Sequence, residues 1–92
     1  MITSFTHKGL KRFYETGSKA GIQPEHTEKL KRMLSALDVA TMPDDLDLPG
    51  FNLHELKGDR AGDWSMTVRA NWRITFRFHG TDVELLNYED YH

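Results

Sequence analysis

Two segments of alternating character, residues 64–69 and 73–78, constrain the fold of this chain most strongly. The first reads WSMTVR and the second RITFRF, and both are apolar at every second position. Period-two alternation over such a length is typical of a strand with one buried face. The short connection between them, ANW, predicts a β-hairpin. With a three-residue loop the apolar side chains share one face, in the pairs Val68–Ile74, Met66–Phe76 and Trp64–Phe78.

The other face of this predicted hairpin is basic. In the same register it carries Arg69, Arg73 and Arg77, with Thr67 and Thr75 between them. A sheet face of this composition is most often an ordinary solvated surface. It is also suited to a negatively charged partner, because a guanidinium group binds phosphate through two parallel hydrogen bonds.

Residues 83–88 form the predicted last strand, after a turn at residues 79–82. If Gly80 is the first residue of a two-residue hairpin loop, the register of this strand follows. The expected pairs are Phe78–Val83, Phe76–Leu85, Arg77–Glu84 and Arg73–Tyr88. This register predicts that Tyr88, Asp90 and His92 lie on the face of Arg73, where His54 and Lys57 from the preceding strand can also reach.

The N-terminal half reads as a short strand followed by two amphipathic helices. Residues 1–6 are β-branched and apolar, a helix runs from His7 to Gly17, and a second begins at Pro24 and ends near Ala40. Residues 41–50 form a loop, and residues 51–57 form a strand before a turn at 58–62. The order β-α-α-β-β-β-β predicts an α+β fold. We expect a single domain over residues 1–92, with two helices packed on one face of an antiparallel sheet.

Composition excludes several classes of protein. The chain has no cysteine, no leader-like opening and no apolar run long enough to span a membrane, so we expect a cytoplasmic location. The net charge of −2 does not suggest a nucleic-acid binder, but the charge is uneven. Residues 7–32 carry seven Lys or Arg against three Glu, which gives +4, and residues 38–63 carry two against seven acids, which gives −5.

No metal, cofactor or phosphate-loop motif is present. The five histidines form no HxH or HExxH pattern, and GDRAG is not a nucleotide-binding loop. A basic face with histidines and carboxylates is sufficient for phosphodiester transfer to an RNA 2′-hydroxyl. That reaction needs a base, cations for the charged phosphorus centre and an acid for the leaving oxygen. Arg69 or Arg73 can hold the phosphate, and Tyr91 can stack on a base.

The run LHELKGDRAGDWSMTVRANWRITFRF, the ending LLNYEDYH and the opening ITSFTHKGLKRFYETG resemble the HigB-type toxins of bacterial toxin–antitoxin modules, in the RelE/ParE superfamily. The resemblance covers essentially all 92 residues. It implies a RelE-like, microbial-RNase-like fold and an endoribonuclease that inhibits translation. Such a toxin cuts mRNA in the A site of the 30S ribosomal subunit without metal or cofactor. A helix-turn-helix antitoxin, HigA, neutralises it.

The resemblance also implies site residues. The family's catalytic and RNA-contacting positions match His54, Lys57, Arg73, Asp90, Tyr91 and His92. Asn71 matches a base-recognition position, and Arg69 joins the RNA-binding set from the strand register. Each has a simpler alternative: Asn71 tolerates the left-handed turn conformation, and the last residues can be a polar tail.

The expected mechanism is transesterification. Arg73, helped by Lys57, stabilises the developing negative charge, and Asp90 or His54 takes the 2′-proton. His92 protonates the leaving oxygen, and Tyr91 positions the substrate. Two alternatives from other classes stay open: a ParE-like toxin that binds DNA gyrase without cutting RNA, and a non-catalytic RNA-binding domain.

Overall fold

A computed structural model of the protein describes residues 1–90. Helix α1 spans Lys8–Thr16 and helix α2 spans Thr27–Val39, and four strands follow: β1 His54–Glu55, β2 Asp63–Arg69, β3 Trp72–His79 and β4 Asp82–Asp90. Short 3-10 turns occupy Pro24–His26, Pro43–Leu46 and Gly58–Arg60. The strands form one antiparallel sheet in the order β1-β2-β3-β4. The predicted α+β class is confirmed.

The N-terminal residues extend this sheet without forming the regular strand that was predicted for residues 1–6. Ile2 and Phe5 make isolated parallel bridges to Val83 and Leu86 of β4. Leu85 lies between the two bridged positions with φ 58°, and its N–H donates to the Ser4 hydroxyl at 2.9 Å. Because that donor binds a side chain, the backbone ladder is interrupted there. The regular elements of residues 1–90 therefore run α-α-β-β-β-β.

Helix α1 begins and ends at capping residues. The Nδ1 atom of His7 accepts the Leu10 N–H at 2.9 Å at the start of α1. At its other end Gly17 has φ 78°, and its N–H donates to the Phe13 carbonyl at 2.9 Å. Helix α2 follows the Pro24–His26 turn. Proline is tolerated at the first position of that turn because its missing N–H would have no partner there.

The core lies between the two helices and one face of the sheet. Helix α2 contributes the predicted stripe, and strands β2, β3 and β4 contribute alternate side chains. The fully buried members include Leu10, Leu30, Met33, Leu37, Met66, Ile74, Phe76, Val83 and Leu86. Burial of each large apolar side chain contributes about 1.5–3 kcal/mol to stability, so this face of the sheet is strongly specified.

The β2–β3 hairpin has a two-residue loop and a β-bulge, so the predicted three-residue loop and its pairs are wrong. Met66 pairs with Ile74, Trp64 with Phe76 and Thr67 with Arg73, while Arg69 pairs with Trp72. Val68 is the extra residue between the two registers. The bulge leaves the predicted apolar face intact. It removes Arg69 from the face of Arg73 and sets it opposite Trp72.

A second bulge shifts the end of the β3–β4 ladder. The predicted pairs Phe78–Val83 and Arg77–Glu84 are confirmed, but Phe76–Leu85 and Arg73–Tyr88 are wrong. Leu85 is the extra residue, and it is 43% exposed, whereas Leu86 is buried. Beyond the bulge the ladder pairs Arg73 with Glu89, Ile74 with Tyr88 and Trp72 with Asp90. Tyr88 consequently enters the core at 3% exposure.

Candidate active site

The sheet face that turns away from the helices carries the polar candidates. Alternation along the strands sets Ser65 and Thr67 of β2 on this face, together with Arg73 and Thr75 of β3. The β4 residues opposite Arg73 and Thr75 are Glu89 and Asn87. Three neighbouring strands therefore bring a guanidinium, a carboxylate, an amide and three hydroxyls onto one surface.

A cavity of about 220 Å³ on this surface joins two of the predicted site residues. It is lined by His54, Glu55, Leu56, Ser65 and Arg73. His54 reaches it because β1 pairs His54 with Ser65 at the edge of the sheet. An imidazole and a guanidinium at one small cavity are a base and a cation that can act on the same phosphate group.

The Arg73 guanidinium is oriented by its neighbours on β2. Its Nη1 atom donates to the Thr67 hydroxyl at 2.9 Å, and the residue is half-buried. Thr67 and Arg73 face each other in the β2–β3 ladder. The hydrogen bond to Thr67 restricts the orientation of the guanidinium plane. A guanidinium of fixed orientation is suited to binding a phosphate group.

His54 has a defined tautomer. Its Nδ1 atom lies 2.6 Å from the Asn52 carbonyl oxygen, and Asn52 has φ 49°. A carbonyl oxygen only accepts, so Nδ1 carries the proton and the neutral ring keeps its lone pair on Nε2. His54 is exposed, which leaves Nε2 accessible to a substrate. A general base needs a ring nitrogen of this kind, with a lone pair that the substrate can reach.

The other predicted residues are less clustered than the register suggested. Lys57 is exposed just beyond the cavity-lining Leu56, before the Gly58–Arg60 turn. Arg69 and Asn71 are exposed at the β2–β3 turn, and Asp90 is exposed opposite Trp72. The alternation of β4 thus separates Asp90 from the Arg73 face. Tyr91 and His92 lie outside the described residues, so their predicted roles stay predictions.

Arg60 and Glu89 belong to the polar face, although the sequence pattern did not identify them. Arg60 Nη1 lies 2.9 Å from Glu89 Oε1, and Glu89 is the partner of Arg73 in the ladder. The signal that could have identified Glu89 is the doublet Leu85–Leu86. Two consecutive apolar residues break the alternation and shift every later residue of β4 to the opposite face.

Residues 1–90 contain neither a metal-binding cluster nor a membrane-spanning helix. No group of three or more His, Asp or Glu side chains there is arranged to hold a metal ion. No helix in the same range is long and apolar enough to cross a membrane.

Comparison with known proteins defines the family. A family model described as the RelE-like toxin of type II toxin–antitoxin system HigB matches residues 3–92. The chain belongs to the HigB-like toxins. A curated relative from Proteus vulgaris, Endoribonuclease HigB, is 51% identical over 92 residues and is covered completely, as is this chain. Membership in a type II toxin family implies an antitoxin partner for this HigB-like toxin.

Solved structures of low sequence identity share its fold. The YoeB/ParE toxin from Agrobacterium tumefaciens superposes with a TM-score of 0.68 at 18% identity, over all of both chains. A YafQ mutant from E. coli gives 0.66 at 17% identity, over 98% of this chain and 91% of its own. At such identity the likeness concerns the fold alone. It confirms the RelE-like architecture that the sequence predicted.

Proposed function

We propose that this HigB-like toxin is an endoribonuclease that cleaves mRNA in the ribosomal A site and thereby inhibits translation. The observation that carries the proposal is the shared cavity of His54 and Arg73, with a proton acceptor at Nε2 and an oriented guanidinium. The 51% identity to a curated endoribonuclease supports the same activity. The antitoxin that neutralises it is a helix-turn-helix protein of the HigA type.

The reaction is transesterification at one phosphodiester. His54, through Nε2, removes the proton of the 2′-hydroxyl, and the 2′-oxygen attacks the adjacent phosphorus. The bond from phosphorus to the 5′-oxygen breaks, and His92 protonates that leaving oxygen. Arg73, helped by Lys57, stabilises the charge that develops on the phosphoryl oxygens. The products are a 2′,3′-cyclic phosphate and a 5′-hydroxyl end, and no metal takes part.

The remaining residues bind and position the RNA. Tyr91 stacks on a base next to the cleaved bond, because aromatic rings hold unpaired bases in this way. Asn71 reads a base from the exposed β2–β3 turn, and Arg69, two residues before it, contacts the RNA backbone. The register sets Arg69 on the Trp72 side of the sheet, so its contact is with flanking RNA and not with the cleaved phosphate.

Cleavage of a message held in programmed ribosomes, compared with the same RNA free in solution, tests the proposal. Both reactions contain a chelator, and the 5′ ends of the products are mapped. We expect new ends within the A-site codon only when the ribosome is present. Unchanged mRNA ends together with disturbed DNA supercoiling in cells would favour a gyrase-binding toxin instead. Binding without cleavage would favour a non-catalytic RNA-binding domain.

A further inference from the structure

A buried hydrogen bond joins the start of helix α2 to the end of strand β4. The Tyr88 hydroxyl lies 2.6 Å from Nδ1 of His26, and the Gln23 N–H donates to the same hydroxyl at 3.3 Å. Tyr88 and His26 are each only 3% exposed. The bond joins segments that are distant in sequence, since His26 and Tyr88 are 62 positions apart in the chain.

One arrangement of protons satisfies both hydrogen bonds with a neutral His26. The Gln23 N–H donates to the Tyr88 oxygen, and the Tyr88 hydroxyl donates its own proton to His26 Nδ1, whose ring proton is then on Nε2. Burial lowers the pKa of His26, Glu25 opposes this and Arg69 adds to it, which agrees with a neutral ring. The Tyr88 hydroxyl and His26 Nδ1 therefore satisfy each other, as buried polar atoms need to be satisfied.

Aromatic rings surround the bond at this end of the sheet. Trp72 stacks on Tyr88 with ring centroids 4.7 Å apart, and His26 meets Trp72 edge-on at 5.6 Å. His7, the N-cap of α1, meets Tyr88 edge-on at 5.4 Å. The cluster therefore connects the N-cap residues of both helices to Trp72, the first residue of β3, and to Tyr88 near the end of β4. Trp72 is also the ladder partner of Asp90.

The cluster lies where β4 loses support on its outer edge. Within residues 1–90 the bridges and backbone hydrogen bonds from the N-terminal segment to β4 extend to Leu86. From Asn87 to Asp90 the strand is paired with β3 on its other edge. Tyr88 lies in the middle of this stretch, directly before Glu89 and two residues before Asp90, so it is the side chain that can anchor it to the helices.

We infer that His26 and Tyr88 are positioning residues for RNA cleavage: their hydrogen bond holds the end of β4, and thereby Glu89, in register with Arg73 of the proposed site. The inference rests on the proposed function. Neither residue touches the substrate. A small displacement of an anchored segment is enough to lower a rate, because misplacing a reacting group by about 1 Å can cost a factor of about 100.

The test compares variants that remove the hydrogen bond with one that restores it. Tyr88→Phe keeps the stacked ring and loses the hydroxyl, and His26→Leu keeps volume and loses the acceptor. His26→Asn returns an acceptor near the position of Nδ1. Tyr14→Phe is the matched control, since it removes a hydroxyl bound to Asp38 at 2.8 Å on the far side of α1. The readouts are single-turnover cleavage in programmed ribosomes and amide hydrogen exchange of residues 87–90.

We expect Tyr88→Phe and His26→Leu to slow cleavage at saturating ribosomes about tenfold or more, with half-saturation within about twofold of the wild type. The double variant should be no slower than the slower single variant, because both changes remove one bond. His26→Asn should recover most of the rate, and Tyr14→Phe should match the wild type. Amide hydrogen exchange of residues 87–90 should be faster only in the variants that lose the hydrogen bond.

Three results would overturn the inference. One is an unchanged rate and unchanged exchange in Tyr88→Phe. Another is a loss of rate explained entirely by a smaller folded fraction, and a third is a loss that His26→Asn does not recover. Failure of the proposed function has a different signature, because the wild type itself would then cleave no ribosome-bound message. Hydrogen exchange would in that case still decide whether the bond anchors β4.

Discussion

Arg73 lies directly opposite Glu89 in the β3–β4 ladder, and Glu89 Oε1 is 2.9 Å from Nη1 of Arg60. The proposed phosphate-binding guanidinium therefore has a carboxylate across from it that is already engaged by a second arginine. This arrangement limits how much the Glu89 charge opposes a bound phosphate. The cavity that Arg73 shares with His54 is also lined by Glu55, so Arg73 is the group there that can attract a phosphate.

Replacing Arg73 should abolish most of the activity without unfolding the protein. We expect Arg73→Ala to lower single-turnover cleavage about 100-fold or more, because a charged donor at a developing oxyanion contributes about that factor. Arg73→Lys should recover only a small part, since an ammonium group cannot reproduce the planar fork that also binds Thr67. Arg77→Ala is the control, because Arg77 pairs with Asp63 at 2.9 Å outside the cavity. Equal losses at both arginines would contradict a specific role for Arg73.

Replacing His54 should remove a proton-transfer step. His54→Ala is expected to slow cleavage about 100-fold or more, which is the usual contribution of a general base. His79→Gln serves as the matched control, because His79 is exposed at the far end of β3. An unchanged cleavage rate in His54→Ala would assign the base to another group.

Stability should decrease in acid because two histidines are held neutral. Burial lowers the pKa of His7, whose Nδ1 accepts the Leu10 N–H, and burial lowers the pKa of His26. Below about pH 6.5 the unfolded chain binds more protons than the folded one. The free energy of unfolding is therefore highest above that pH, and it decreases as the pH falls through the folded pKa values. Urea unfolding at pH 7.5 and 5.0 measures this loss.

Replacing His7 with a capping residue that does not titrate distinguishes the contributions of the two histidines to this loss. His7→Asn keeps an N-cap acceptor without a protonation step. The loss between pH 7.5 and 5.0 should be smaller in His7→Asn than in the wild type, and smaller again when His26→Asn is added. Identical losses in all three proteins would show that other groups, such as the carboxylates, account for the acid sensitivity.

Ala70→Gly should stabilise the fold. Ala70 has φ 52° in the β2–β3 loop, a left-handed conformation that costs a residue with a Cβ atom about 1 kcal/mol or more. Part of the gain is offset by the greater freedom of glycine in the unfolded chain, so we expect a net increase of up to about 1 kcal/mol. Ala61→Gly is the matched control: Ala61 has φ −55°, and the same substitution should be destabilising. Denaturant unfolding measures both, and a destabilised Ala70→Gly would be the contrary result.

The positions of the helices and the buried face of the hairpin were predictable because they depend on spacing along one segment. The stripe Leu30, Met33, Leu34 and Leu37 can face a core only as a helix. Likewise, Met66 and Ile74 alternate with polar residues in a way that assigns their face before their partners are known. His54 and Arg73 were identified on residue type and family resemblance, and the structure places both at one cavity.

Registers were not predictable in the same way, because a bulge is a property of two paired strands. The extra residues Val68 and Leu85 reversed the expected positions of Arg69 and Tyr88. Leu85 adopts φ 58° beside the N-terminal segment, where Ser4 binds its N–H, and that neighbour is 81 positions away in the chain. Local pattern therefore determined the fold class, the family and the buried faces of helix α2 and of the hairpin. Only the packed structure decided that Tyr88 anchors β4 to His26 and that Glu89 faces Arg73, because both depend on contacts between segments that are distant in sequence.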